Sequence, residues 1–216
     1  MNEVSDAATP GRTPPSPPRW KGTQSLELVC QLNARCIELL CDQAASDALV
    51  AASPRVTENR ECWLRLSSDA RRRAAQMPFI IVDVEFRNAA WWRGAVDGNA
   101  ARVGPVINGL WREASLHLAQ EVLMFAWQTA RWDRAVARQL FGMASAVVEI
   151  ISVLTPHQVL DIASREHLSV RVRWAENVPF WKDFLMAAEN GDDDRLADVH
   201  LYAKLLLCGE LVGPEA

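Results

Sequence analysis

Residues 154–174 read LTPHQVLDIASREHLSVRVRW. Thr155-Pro156 sets an N-cap hydroxyl before a proline at the first helical position, where its fixed φ and missing N–H are harmless, so a helix over HQVLDIASREH is predicted. The run LSVRVRW then alternates, with Leu168, Val170, Val172 and Trp174 on one face and Ser169, Arg171 and Arg173 on the other, which predicts a short strand with one wet face. Residues 66–86, LSSDARRRAAQMPFIIVDVEF, repeat this plan. Leu66 set on Leu154 brings Ser67 to Thr155, Ala75 to Ala163, Ile80 to Leu168, Val82 to Val170, Val84 to Val172 and Phe86 to Trp174. One inserted residue later, Trp92-Arg93 meets Trp181-Lys182. Cap, helix, β-run and Trp-plus-cation recurring in one order imply duplication of a unit of roughly 70 to 90 residues. Each copy alone has a thin core, so the two are expected to pack together.

Working outward, Leu28, Leu32, Cys36, Leu39 and Leu40 recur at helical spacing from Ser25 onward. That helical region is expected to end between Asp47 and Ser53, before Pro54. Thr57 would cap a short helix to Leu66, Ser67-Ser68-Asp69 would open the helix that Pro78 ends, FIIVDVEF (79–86) reads as a strand, and Asn88 would cap a segment holding Trp91 and Trp92. Glycines, a proline and asparagines gather in 94–110, the composition of a linker. A long helix is then predicted from Trp111 to Phe141, with Leu116, Leu123, Ala126, Trp127 and Ala130 at helical spacing and Gly142 as its stop. A second runs from Ala144 to Val153. Beyond the second β-run, Phe180, Trp181, Phe184 and Leu185 begin a helix, ENGDDD forms an acidic turn, and DRLADVHLYAKLLL forms a closing helix whose apolar stripe ends at Cys208. The expected layout is a disordered leader over 1–22, a first unit over 23–93, a linker over 94–110, a second unit over 111–208 and a tail over 209–216. The fold class is mainly α: two helical units, each with a short strand, packed as a pseudo-dimer.

Composition narrows the function. A net charge of −4 offers no overall pull toward nucleic acid or an anionic membrane. Nine Trp against one Tyr favour a core or interface built on large anchors. The cysteines at 30, 36, 41, 62 and 208 form no C-x-x-C pair, and no His stands at zinc-finger spacing, so neither a metal site nor a disulfide framework is signalled. No signal peptide and no apolar run long enough to span a bilayer is present, which fits a cytoplasmic protein with reduced thiols. No P-loop, dinucleotide fingerprint or nucleophile elbow occurs, and Asp192, Asp193 and Asp194 lack the remaining EF-hand ligands. A non-enzyme without cofactor or metal is expected.

The second unit resembles the FlhD family, the helical subunit of the bacterial flagellar transcriptional activator. The likeness runs from about Leu118 through RWDRAVARQLFGM (131–143) and ASAVVEIISVLTPHQVLDIASREHLSVRVRW (144–174) to an acid-rich turn and final helix, ENGDDDRLADVHLYAKLLL (189–207), and rests on Asp133-Arg134-Ala135, Gly142, Leu154-Thr155, Gln158, Ala163, Leu168 and Arg173-Trp174. It covers a little under half of the chain. In the first unit, Gln31-Leu32-Asn33 resembles the family's opening helix. The resemblance implies a protein that self-associates and joins an FlhC-type subunit to activate flagellar operons, the zinc-binding partner making much of the contact with promoter DNA. The chain departs from the family in its length, its Pro-rich leader and its tandem unit. The tandem either imitates the family dimer within one chain or blocks a partner site.

Candidate contact residues follow from the cations. Arg131, Arg134 and Arg138 stand at i, i+3 and i+7, placing three guanidinium groups along one helix face, able to meet phosphates or an acidic partner or to form a solvated surface. Gln158 and Arg165 sit on the helix after Thr155-Pro156, where a Gln is able to read adenine in a groove. Arg71 and Arg72 belong to the equivalent helix of the first unit, and Arg171 and Arg173 to the wet face of the second β-run. Trp91, Trp92, Trp127, Trp132 and Trp181 are either core wedges or interface anchors. The expected activity is regulation of transcription by protein assembly; a protein-binding adaptor or antagonist without DNA activity is the second reading.

Overall fold

The computed structural model describes residues 22–46, 58–99, 109–166 and 171–212. Within them the chain forms ten helices and one two-stranded sheet. The first half contributes α1 (Gly22–Ala45), α2 (Arg60–Arg65), α3 (Ser68–Ala74), β1 (Val82–Asp83) and α4 (Ala89–Val96). The second contributes α5 (Gly109–Trp132), α6 (Arg134–Phe141), α7 (Ser145–Val153), α8 (Pro156–Glu166), β2 (Arg171–Val172), α9 (Val178–Asn190) and α10 (Asp193–Val212). The leader, the helix end expected at Asp47 to Ser53, the Thr57 cap, most of the linker, and Leu168, Ser169 and Val170 lie outside the described residues. No single described helix is long and apolar enough to cross a membrane; α6 and α7 reach that measure only as a pair, bent by 116°.

The caps explain where helices begin. Ser67 accepts a hydrogen bond from the Ala70 N–H at 3.2 Å, Asn88 from Trp91 at 2.9 Å and Asn177 from Phe180 at 3.2 Å, each satisfying an N–H that the first turn leaves free. Thr155 and Gln158 form a capping box, the Thr155 oxygen accepting from the Gln158 N–H and the Gln158 amide oxygen from the Thr155 N–H. In the first half the position matching Gln158 is Ala70, and Glu189 of α9 supplies the missing acceptor to the Ser67 N–H at 2.9 Å. The short helix before Ser67 runs from Arg60 to Arg65, with Asn59 at its N-cap.

Three sequence expectations are corrected. The long helix from Trp111 to Phe141 is two helices, because Asp133 leaves helical geometry and its carboxylate accepts from both Ala135 and Val136 N–H, starting α6 afresh. Only Val82–Asp83 of the run 79–86 joins a ladder. Its other backbone groups are met elsewhere: Asn33 donates to the Met77 and Phe79 carbonyls and accepts from Ile81 N–H, Ile80 N–H goes to Leu140, and Ala144 N–H to the Phe86 carbonyl. The final helix extends through Gly209 to Val212, so residues 209–212 belong to the folded unit; likewise α4 reaches Val96 and α5 opens at Gly109, narrowing the linker.

The two strands pair antiparallel, Val82 opposite Val172 and Asp83 opposite Arg171. One continuous core surrounds them, with Phe86, Trp92, Phe141 and Phe184 among the fully buried side chains. Helices from the two halves alternate in the packing: α1 crosses α5, α9 lies on α2 and α3, and α4 lies on α7 and α8. On α1 the buried stripe is Val29, Leu32, Cys36, Ile37, Cys41 and Ala44, turned slightly from the predicted face, so Leu28, Leu39 and Leu40 are only half-buried.

Candidate functional site

Arg173 is the hub of the region around the sheet. The predicted alternation puts it on a wet face, yet it is 4% exposed. The reason is local: the ladder ends at Val172, and Trp174 adopts a left-handed φ of 50°, so the chain turns and period-2 alternation stops. Arg173 Nε donates to the Ile80 carbonyl at 3.0 Å and Nη1 to Glu210 at 3.0 Å. Its backbone N–H bonds the Ile81 carbonyl at 2.8 Å, and its own carbonyl accepts from the Trp181 indole at 3.0 Å. The second Glu210 oxygen accepts from the Trp174 indole at 2.9 Å. Burial pushes the Arg173 pKa below its usual value while Asp83 and Glu210 oppose that shift. Gly142 makes room for the guanidinium: its φ is 58°, and a Cβ there would overlap Arg173 Nη1 and approach the Leu207 Cδ1 to 2.8 Å.

In front of this hub lies an open cleft of about 610 Å³, lined by Asp83, Glu85, Arg87 and Asn88 on one side and by 171–177 with Glu210 on the other. Its charges are largely paired within the chain. Arg171 reaches Asp83 at 3.0 Å and Glu85 at 2.9 Å, a cross-strand pair extended by one acid. Glu85 has a φ of 51°, and three residues after it and after Trp174 stand the two Asn caps. Glu85 and Trp174 thus hold the same place before their Asn caps, one position away from the Phe86-to-Trp174 match expected from the sequence.

The predicted contact cations are mostly held by the fold. Because Asp133 breaks the helix, Arg131, Arg134 and Arg138 do not form one stripe. Arg131 lies over the Trp127 ring at 5.0 Å, Arg134 is 3.9 Å from Glu149, and Arg138 donates to the Leu211 carbonyl at 3.3 Å. Arg165 pairs with Asp161 and donates to the Ala95 carbonyl at 3.0 Å, closing the C-terminus of α4. Arg73 does the same for α9, donating to the Ala188 carbonyl at 2.8 Å. Arg71 binds the Leu66 carbonyl of its own turn, Arg72 reaches Asp69 at 3.0 Å on the surface, and Gln158 is spent on the capping box.

Among the Trp candidates, Trp91, Trp92 and Trp181 are core, and Trp181 packs on Trp63 with ring centroids 5.7 Å apart. Trp127 is half-buried and donates to the Leu154 carbonyl at 2.7 Å, while Trp132 is 58% exposed. Sequence reasoning named Asn33 only within the Gln31-Leu32-Asn33 resemblance and gave it no role at the site, and it missed Glu210, which stood in a segment read as a tail. No three His, Cys, Asp or Glu side chains among the described residues converge to hold a metal. Comparison with family models, curated proteins and solved structures finds no match.

Proposed function

We propose that this chain is a transcriptional regulator of the FlhD type, built as a pseudo-dimer within one polypeptide and acting by assembly with an FlhC-type subunit on promoter DNA. The observation that carries the reading is the two-fold consistency of the packing. If α1, α2, α3, β1 and α4 correspond to α5, α7, α8, β2 and α9, then contacts of α1 with α2 and α3 match those of α5 with α7 and α8. Contacts of α9 with α2 and α3 match those of α4 with α7 and α8, while α1 with α5 and β1 with β2 are self-matching. The strand register agrees: Asp83 and Arg171, equivalent under the 66-to-154 alignment, stand opposite each other, as a two-fold axis through that pair requires. The helices α1 and α5 are each 24 residues long.

The residues behind the FlhD resemblance are also those on which this architecture depends: the Asp133 cap, left-handed Gly142, the Thr155–Gln158 box, buried Ala163 and the Arg173–Trp174 hub. With most of its candidate cations paired within the chain and its net charge negative, the chain contributes shape and the partner contributes most of the DNA contact. Mixing the purified chain with an FlhC-type protein and a flagellar promoter fragment tests this. A ternary complex whose affinity falls steeply with salt is expected. Binding to the partner that releases DNA would favour the antagonist reading, which the same engaged cations support. No binding to the partner at any salt concentration would sink both.

A further inference from the structure

The last helix is apolar on two faces. Its inner stripe, Leu196, Val199, Ala203 and Leu207, is buried, and Glu210 and the Leu211 carbonyl tie its end to Arg173, Trp174 and Arg138. That anchoring holds a second stripe outward: Leu201, Leu205 and Val212 are 59%, 61% and 87% exposed, with exposed Cys208 between them. Their spacing of four, three and four is the seam of a helix that packs knobs into the holes of another helix. Tyr202 beside the seam is half-exposed, and Gly209 has open space where a Cβ would stand.

We propose that this outer face of α10 is a self-association surface, on which a second copy of the chain seats its own α10 antiparallel. The stripe suits its own copy. With Leu205 opposite the second copy's Cys208, Leu201 falls opposite its Val212, and Tyr202 falls beside its Gly209, a small residue opposite a large one. Each seam residue thereby meets an apolar partner, the self-complementarity a two-fold interface requires. The patch is small, four seam residues and Tyr202 on each chain, so the pair falls at the low end of specific interfaces, where about 1,000 Å² in total is needed. An anionic membrane fits less well, since the helix carries Asp193, Asp194, Asp198 and Glu210 against Arg195 and Lys204. This surface is independent of the FlhD reading, because the intramolecular two-fold lies at the sheet.

Sedimentation of the full chain from about 1 to about 200 μM tests the proposal over the range where so small an interface would dissociate. The mass is expected to rise from one chain to two. L201E and L205E, both at exposed positions, should each weaken dimerisation at least ~10-fold, while V153E, at a distant exposed apolar site, leaves it unchanged. Oxidised L205C should form an interchain disulfide with the second copy's Cys208 more readily than the unaltered chain cross-links through Cys208 alone. A monomer at every concentration overturns the proposal. So does a dimer indifferent to L201E and L205E, cross-linking of the unaltered chain as efficient as that of L205C, or a monomer that instead floats with anionic vesicles.

Discussion

Asn33 shows what one side chain does in this fold. It is fully buried on α1, and its amide satisfies two carbonyls and one N–H of the segment from Met77 to Ile81. Asn33→Leu would keep the branched shape while adding some bulk, and would strand all three groups away from water, so a loss of about 2–4 kcal/mol is expected, read as a lower urea midpoint. A cost below ~1 kcal/mol would mean the segment finds other partners. His200 makes a pH-dependent case. Burial first, and Lys204 second, hold its pKa below the usual 6.5, and its Nε2 is buried without a partner among the described residues. The folded state then binds fewer protons than the unfolded chain between that lowered pKa and 6.5. The stability is full above this window and falls as pH drops through it. His200→Phe keeps a ring near Phe184, whose centroid is 6.1 Å away, and should flatten the fall in urea midpoint from about pH 7 to about pH 5.5. Parallel losses in variant and parent would clear His200 of the effect.

Among the elements, Asp133 decides most. Replacing it with Ala removes the acceptor for two N–H groups at the start of α6 and should cost about 0.5–2 kcal/mol. Asp133→Asn, which keeps an acceptor, should cost less than Ala; equal losses for the two would mean that the cap is not what starts α6. This break also marks the limit of reading the sequence. Caps written as Ser67, Asn88, Thr155 and Gly142 were legible because each acts on a backbone group within a turn of itself. Asp133 was legible in the same way, but unbroken apolar spacing on both sides concealed it. The strands were overread because β-branched composition reports burial as well as pairing: Ile80 and Ile81 are buried against helices and spend their backbone groups on Leu140, Asn33 and Arg173. The candidate cations were legible as cations but not as caps. Arg73 and Arg165 close helices about 115 and 70 positions away, and nothing local in a sequence announces such a partner.

At the scale of the whole molecule, the two halves share one core and do not form adjoining domains. Trp63 of α2 packs on Trp181 of α9, Phe79 on Trp174, and Phe86 on Phe141, so each half completes the other's aromatic clusters. The reciprocal arginine caps have the same consequence. Arg165 closes α4 from the second half and Arg73 closes α9 from the first. Residues 22–99 and 109–212 expressed separately would each expose half of every cluster, including an unpaired strand, and neither has enough private core to offset its ordering entropy. Each fragment alone is therefore expected to lack a cooperative melt and the near-UV signal of packed Trp. Mixed at equal concentration, the fragments should recover both, with a midpoint that rises with concentration, because joining them has become bimolecular. A cooperative, concentration-independent melt of either fragment alone would show instead that the halves are separate domains, and the pseudo-dimer would fall with that result.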